Sequence, residues 1–464
     1  MQSLKNFSRH HDGVFNLNID LHGRVQAAAA VGRRIRLTSV VYCLLWQLSY
    51  LSAAAIAQQL HLADSIVPFA ELQTITPDGW KFAPINRPVD RSEIVRWGTW
   101  PGILKQQAVW LNDGSWLVGE IDDSNGSTLK IDNDWLELPP IDLSIVRGIV
   151  VNPPASFSKW LELQQQMLAT EGGQDVVWML NRQRVAGVVR WPNDPNQFQQ
   201  LTLDSQNQVI AIDFDSVAAI VFSPTLVGPL PVAAKHTIGL SDGSMLRIAS
   251  ISVPDDRAVS IRLLADLELK SVDPPAGFAS AVRYIAEGAP RVTFLSDLEP
   301  ASYRNASETK LLWELGRDVD VSRQPLTYSG GIAAKGLALH SSSQVAYRWD
   351  GKPARLLAQV VLAPKHPQAL VTPGSATCQV LVARGGKLET VEEFTLSRSV
   401  SETGAIDLKS KDGLKQAELE LNAERLVDVD LTSAQLVVLI VEKGDYGQYG
   451  DQVFWLDARI TKAR

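Results

Sequence analysis

Cysteine is nearly absent: Cys43 and Cys378 are the only two in 464 residues. Two thiols can build neither a disulfide framework nor a Cys-rich zinc site. Positive charge is also short, with 44 Lys and Arg against 51 Asp and Glu and a formal net charge of −7. That balance argues against nucleic acid as a partner, because phosphate binding calls for a basic face. No G-x-S-x-G elbow, H-E-x-x-H pair, Walker loop or dinucleotide fingerprint occurs anywhere in the chain. Long apolar runs are missing too, apart from a single one near the start, which excludes a polytopic membrane protein. What the chain does have is tryptophan, thirteen of them against eight tyrosines.

The first 57 residues stand apart. Residues 1–36 are polar and end in Arg33, Arg34 and Arg36, and residues 37–57 then run without charge to Ala55-Ile56-Ala57. Basic, apolar and A-x-A segments in that order are the parts of a secretory signal. An uncleaved anchor is the other reading, since 21 residues at about 1.5 Å each can cross a core of about 30 Å. The small residues before Gln58 favour cleavage. Either way the rest of the chain is expected to be extracytoplasmic, touching a membrane only if the signal stays. Cleavage removes six basic and two acidic residues, leaving 38 against 49, or −11. It also removes Cys43, so Cys378 is left alone, in a strand-like run where a small core residue is expected.

Residues 58–290 repeat themselves. LNDGSWL at 111–117 returns as LSDGSML at 240–246, an offset of 129 residues. A weaker copy lies between them, with Leu180-Asn181 set against Leu111-Asn112 and Val185-Ala186-Gly187 against Leu117-Val118-Gly119. Asp113-Gly114 and Asp242-Gly243 supply the positive φ of a two-residue hairpin turn. Copies close alike, as IDLSIVRGIVV at 141–151 and IDFDSVAAIVF at 212–222. VDRSEIVRW at 89–97 resembles that closing strand, which points to an incomplete further copy at 58–101. The boundaries that follow are 102–155, 156–228 and 229–290, each a small antiparallel barrel-like repeat. The pattern resembles SH3-like or Sm-like barrels. A helix is predicted at the start of the 156–228 repeat, capped by Ser156 or Ser158 and ended by Gly172-Gly173. Its apolar positions are Trp160, Leu161, Leu163, Met167 and Leu168.

RNA binding by these barrels would need basic loops, but they carry Asp122, Asp123, Asp132, Asp134, Asp255 and Asp256. Asp132-Asn133-Asp134 lacks the ligand spacing of an EF-hand, so no metal site is assigned. The expected role of the repeats is structural, or contact with a protein partner.

From residue 291 short β-branched segments at 356–362, 378–383 and 436–441, separated by turn residues, indicate a β-sandwich. Alternation in QVAYRW puts Val345, Tyr347 and Trp349 on one face. Ser296, Asp297, Leu298 and Pro300, then Lys335, Gly336, His340, Ser342, Tyr347 and Gly351, and finally Asp451, Trp455, Asp457 and Ala458 form an ordered set of motifs. That order resembles the NPCBM family of carbohydrate-binding modules. The segments 363–374 and 384–415 depart most from the pattern. The resemblance implies a galactose-binding-like, discoidin-type sandwich that accompanies glycosidases or extracellular proteins and binds glycans through loops at one end. The whole chain is therefore expected to be all-β, tandem small barrels followed by this sandwich at 291–464.

A glycosidase needs two carboxylates facing one cleft, about 5 to 9.5 Å apart. With 49 acidic residues after residue 57, pairs can be drawn at will, and no catalytic residue or cofactor is assigned. Two function classes stay open: an exported non-catalytic glycan-binding protein, and a structural or protein-interaction protein of the cell envelope without sugar affinity. For the first, the site is expected in EKGDYGQYGDQ at 442–452, eleven residues where hairpin loops usually have about 2 to 5. Gly444, Gly447 and Gly450 allow sharp turns, while Tyr446 and Tyr449 offer rings for the apolar C–H faces of sugars. Asp451 offers a carboxylate to their hydroxyls. These three lead the assignment, followed by His340 and Trp455, whose alternatives are a strand-end hydrogen bond and a place in the core. The segment 328–343 is the next place to look.

Overall fold

The computed structural model describes residues 58–463 except 101, 103, 125–126, 191–199, 206–207, 228–235, 256, 307–311, 329–330, 364–373, 399–422 and 446–449. The leader segment at 37–57 lies outside the described residues. Four consecutive units fill 60–287, and each closes in the same way. A last strand returns antiparallel to the unit's own first strand: Ile94–Gly98 on Leu60–Leu62, Val146–Val150 on Ala108–Leu111, Val217–Val221 on Asp175–Met179, and Val282–Glu287 on His236–Leu240. A three-residue helical turn precedes the first three returns, and the seven-residue helix Pro275–Ala281 precedes the fourth. Asp90 and Asp142 start the first two such turns by accepting the Ser92 and Ser144 N–H groups, both at 2.8 Å, the N-cap bond their D-x-S sequences allow. The first unit, expected to be partial, has the full order of strands.

The hairpin turns differ from expectation. Leu111 N–H donates to Ser115 O and Gly114 N–H to Leu111 O, and Leu240, Gly243 and Ser244 repeat the pair. Among the turn residues only Gly114 (φ +87°) and Gly243 (φ +103°) are left-handed. This is a three-residue loop, a type I turn closed by a left-handed bulge residue, rather than a two-residue turn. The weaker copy makes the same turn from Met179 to Gln183, with Arg182 at φ +70° in the glycine position. Its register is thus one residue off the sequence alignment: Asn181 stands where Asp113 does.

The repeated Asp-Gly-Ser does more than turn the chain. Trp116 pairs with Met245, 129 residues on, joining the second unit to the fourth. Val118 N–H donates to Ser244 Oγ at 3.0 Å, and Arg247 N–H, again 129 residues on, donates to Ser115 Oγ at 2.9 Å. The two turns exchange equivalent bonds across a local pseudo-twofold axis. Asp113 and Asp242, both buried, hold their serines by accepting the Ser115 and Ser244 N–H groups at 2.7 Å. Asn133 completes the joint by donating to Asp242 Oδ2 at 2.9 Å, so the acidic triplet around it serves a turn.

Residues 292–462 form the sandwich. One sheet orders Gly316–Arg317, Gly336–Leu339, Val453–Lys462, Ala354–Leu362 and Glu424–Asp430, with Val292–Phe294 also pairing Val453–Lys462; the facing sheet orders Ser302–Asn305, Ser343–Arg348, Ala434–Lys443, Gly374–Arg384 and Lys387–Arg398. Val345, Tyr347, Cys378, Val380, Leu439 and Trp455 fill the space between them. A bulge interrupts the pairing between Leu357 and Gln359, opposite Asp457 at φ +47°. The bulge shifts the alternation, so Trp455 and Ala458 face the core while Asp457 does not share their side.

Asp457 turns instead to the first unit. Its carboxylate takes Arg96 Nε–H at 2.5 Å, with both side chains buried. Arg96 also donates to Gly98 O at 2.7 Å and Gln359 Oε1 at 3.0 Å, and its Nη2 lies 3.0 Å from His61 Nε2. His61 Nε2 also lies 3.1 Å from Gln59 Oε1, and Nδ1 lies 3.2 Å from Asp457. Arg459 Nη2 donates to Leu62 O at 2.7 Å, and Trp100 bridges to Ile332. Burial, with Arg96 and Arg459 adding to it, keeps the His61 pKa well below its ordinary 6.5.

Ser115→Ala and Ser244→Ala should each lower the unfolding free energy by about 1–3 kcal/mol, because each leaves a buried N–H unmatched. Urea denaturation should give similar losses for the two, and a silent member of the pair would rule out the shared joint. Asp457→Asn should cost about 3–5 kcal/mol by stranding Arg96, and Arg96→Met in the same chain should recover most of it. His61 sets a pH window. The unfolded chain takes up its proton below about 6.5 while the folded chain resists, so stability should fall as pH drops from about 6.5. Urea midpoints in His61→Gln should lose that part of the decline.

Candidate functional site

His340 ends the strand Gly336–Leu339, and its carbonyl accepts Ser343 Oγ–H at 2.5 Å. Ser342, at φ +60°, makes the corner into the next strand. The imidazole stacks on Trp313, ring centroids 4.8 Å apart and planes 8° from parallel. Tyr303 Oη donates to Trp313 O at 2.7 Å and so fixes the backbone behind that indole. Burial pushes the Tyr303 phenol up to about 12, which keeps it a neutral donor.

Behind the stack lies Asp451, wholly buried just ahead of the last strand. His340 Nε2 is 3.3 Å from its Oδ1. Burial lowers the His340 pKa below 6.5, and the Asp451 charge opposes that shift. The ring is therefore neutral near pH 7 and held flat against Trp313.

The pair opens on a cleft of about 590 Å³, within the range of about 300–1,000 Å³ usual for small-molecule sites. Tyr328, Gln324 and Gln452 line it beside Trp313, His340 and Asp451. Tyr328 is held in place by Gln359 Nε2, which donates to its hydroxyl at 3.0 Å, and by its own bond to the Glu424 carboxylate. The facing wall comes from outside the sandwich. Helix α1, Phe157–Leu168, presents Phe157, Leu161, Glu162 and Gln165 to the cleft. Its other side is committed to packing, as the 3- and 4-residue spacing predicts: Trp160, Leu163 and Met167 are buried. Trp160 meets Trp116 edge-on at 5.2 Å, and Trp116 stacks on Trp110 at 5.3 Å.

Of the residues expected from sequence, the structure brings His340 and Asp451 together at the cleft. Tyr446 and Tyr449 lie outside the described residues. Trp455 is fully buried among the core side chains, 6.5 Å from the Phe394 ring, so it offers no surface to a ligand. Sequence reasoning missed Trp313 and the role of α1, while Tyr328 opens the segment 328–343 named as the next place to look. The one usable signal for Trp313 was an indole in a stretch with no strand alternation.

The imidazole should titrate below 6.5 when followed by NMR. In Asp451→Asn its midpoint should move lower still, because the only charge favouring the protonated ring has been removed. An upward move would overturn the role given to the Asp451 charge.

No curated protein matches the chain. Among solved structures, a CBM51 module from Clostridium perfringens GH95, in complex with methyl-galactose, is 16% identical; the match covers 37% of this chain and 99% of that one, with a TM-score of 0.27. CBM51-2 with the INT domains of Clostridium perfringens ZmpB, in complex with GlcNAc, is 18% identical over 55% of this chain and 43% of that one, with a TM-score of 0.26. The tandem CBM51 modules of a family 98 glycoside hydrolase from Streptococcus pneumoniae are 13% identical over 49% and 71%, with a TM-score of 0.27. Residues 291–461, which hold the C-terminal sandwich, match the family model described as the NPCBM/NEW2 domain.

Proposed function

We propose that this is an exported, non-catalytic protein that binds a glycan in the cleft beside His340. The observation that carries the reading is the half-buried Trp313–His340 stack at the cleft, backed by the buried Asp451. Sugars lay apolar C–H faces on flat rings and offer hydroxyls to neutral acceptors and donors. A rigid indole and a neutral imidazole supply both at small cost in ordering. Non-catalysis is supported by how the cleft's carboxylates are used. Asp451 has no exposed surface, and Asp320 is tied as a turn cap by the Ser322 and Gln324 N–H groups, both at 2.8 Å. Glu162 alone stands in the open, whereas a glycosidase needs two carboxylates facing one cleft. Export rests on the leader composition. Among the described residues no helix is long and apolar enough to cross a membrane.

Methyl-galactose and N-acetylglucosamine, the sugars held by two of the similar structures, are the first probes. For a single sugar the affinity should lie at about 1 mM to 1 μM. In calorimetry on the full chain, Trp313→Ala should weaken it by the equivalent of about 1–3 kcal/mol, by analogy with base stacking on aromatic side chains. A glycan array on which the full chain binds nothing would defeat the reading and favour the alternative, a protein-interaction role in the cell envelope.

A further inference from the structure

The cleft's far wall belongs to the small-barrel array, and its charge is one-sided. Glu162 from α1, Asp320 from the loop before Leu326–Tyr328, and Asp451 all line it, with no lysine or arginine among the described lining residues. Arg182 Nη2 lies 3.7 Å from Glu162 Oε2 in an exposed pair that solvent screens, and Arg323 pairs with Glu314. A cleft with one sign of charge and apolar walls focuses its field on whatever enters, and an anionic ligand meets like charge without a partner. Gln165 Nε2 donates to Gln324 Oε1 at 2.6 Å, which ties α1 to the sandwich loop. The wall is thus part of the site's frame.

Resting on the glycan reading above, we infer that α1 is a second binding wall and that the composite cleft selects uncharged or ammonium-bearing sugars over acidic ones. Leu161 and Phe157 supply an apolar surface facing Trp313, so a sugar is gripped on two sides. Glu162 is placed to attract the ammonium of an amino sugar and to repel a carboxylate or sulfate. Selectivity then comes from a segment outside the NPCBM module.

The test uses the full chain on an array of neutral glycans, their de-N-acetylated amino forms, and their sialylated, uronate-bearing and sulfated forms. Binding should be confined to the neutral and amino members. Leu161→Ala with Gln165→Ala should weaken every bound member by about tenfold. Glu162→Lys, at an exposed position that folding does not depend on, should weaken amino members most and admit some acidic ones. Matching unfolding midpoints for wild type and variants confirm that the fold is kept. Wild-type binding by the α1 variants, with binding lost in Trp313→Ala, would overturn the wall and leave the glycan reading standing. Acidic glycans bound as well as neutral ones would overturn the charge selection. No binding by the wild-type chain would overturn the glycan reading and this inference with it.

Discussion

One buried ion pair ties the two halves of the described chain together. Arg96 sits on the closing strand of the first small unit, and Asp457 sits on the last strand of the sandwich. Taking both charges out of water is expensive and is offset only when every remaining donor is matched. The surroundings meet much of that condition: Gly98 O and Gln359 Oε1 accept two of the four other guanidinium N–H groups, and His61 Nε2 lies 3.0 Å from Nη2. Asp457 reaches Arg96 because a bulge turns it off the core side of its strand. A local backbone irregularity thereby sets how the sandwich docks on the array. The docking in turn lets α1, which lies in the array, face loops of the sandwich.

The motif residues divide along the same line. Lys335 pairs with Asp297 at 2.6 Å and Asp318 at 2.8 Å, and Asp457 pairs with Arg96. These polar positions hold strands and domains in place. His340 and Asp451 also touch each other, yet only they stand at a cleft. A polar family pattern is thus a mixture of frame and site, and the residues themselves do not announce which they are. Burial and the nature of the partner separate them.

How far the sequence could be read follows from this. Strand alternation, the Asp-Gly turns, the closing strands and the helix at 157–168 were legible because each depends on neighbours within a few residues. The three-residue form of the turn was not. Asp-Gly suits both forms, and Ser115 and Ser244 find their acceptor role only when two units meet. The face of Asp457 could not be read from alternation, which assumes an unbroken strand, and a bulge leaves no reliable mark in sequence. Trp455 carried two readings that only packing could decide. His340 and Asp451 were legible through the family pattern, but Trp313 belongs to a stretch without period, so nothing local aimed it at His340.

The tryptophans give the deeper reason that the site spans two parts of the chain. Trp110, Trp116 and Trp160 form one packed cluster that fixes α1 against the second unit. A helix held so firmly on one side can present its other side with little loss of freedom on binding. Trp313, by contrast, is held through its backbone and by stacking on a neutral ring, so its own face remains available. The same residue type is therefore used in two ways. Where indoles pack on one another they make a frame, and where one packs on a polar ring at a cleft it makes a surface. The junction at Arg96 and Asp457 matters because it brings the frame of one part opposite the surface of the other.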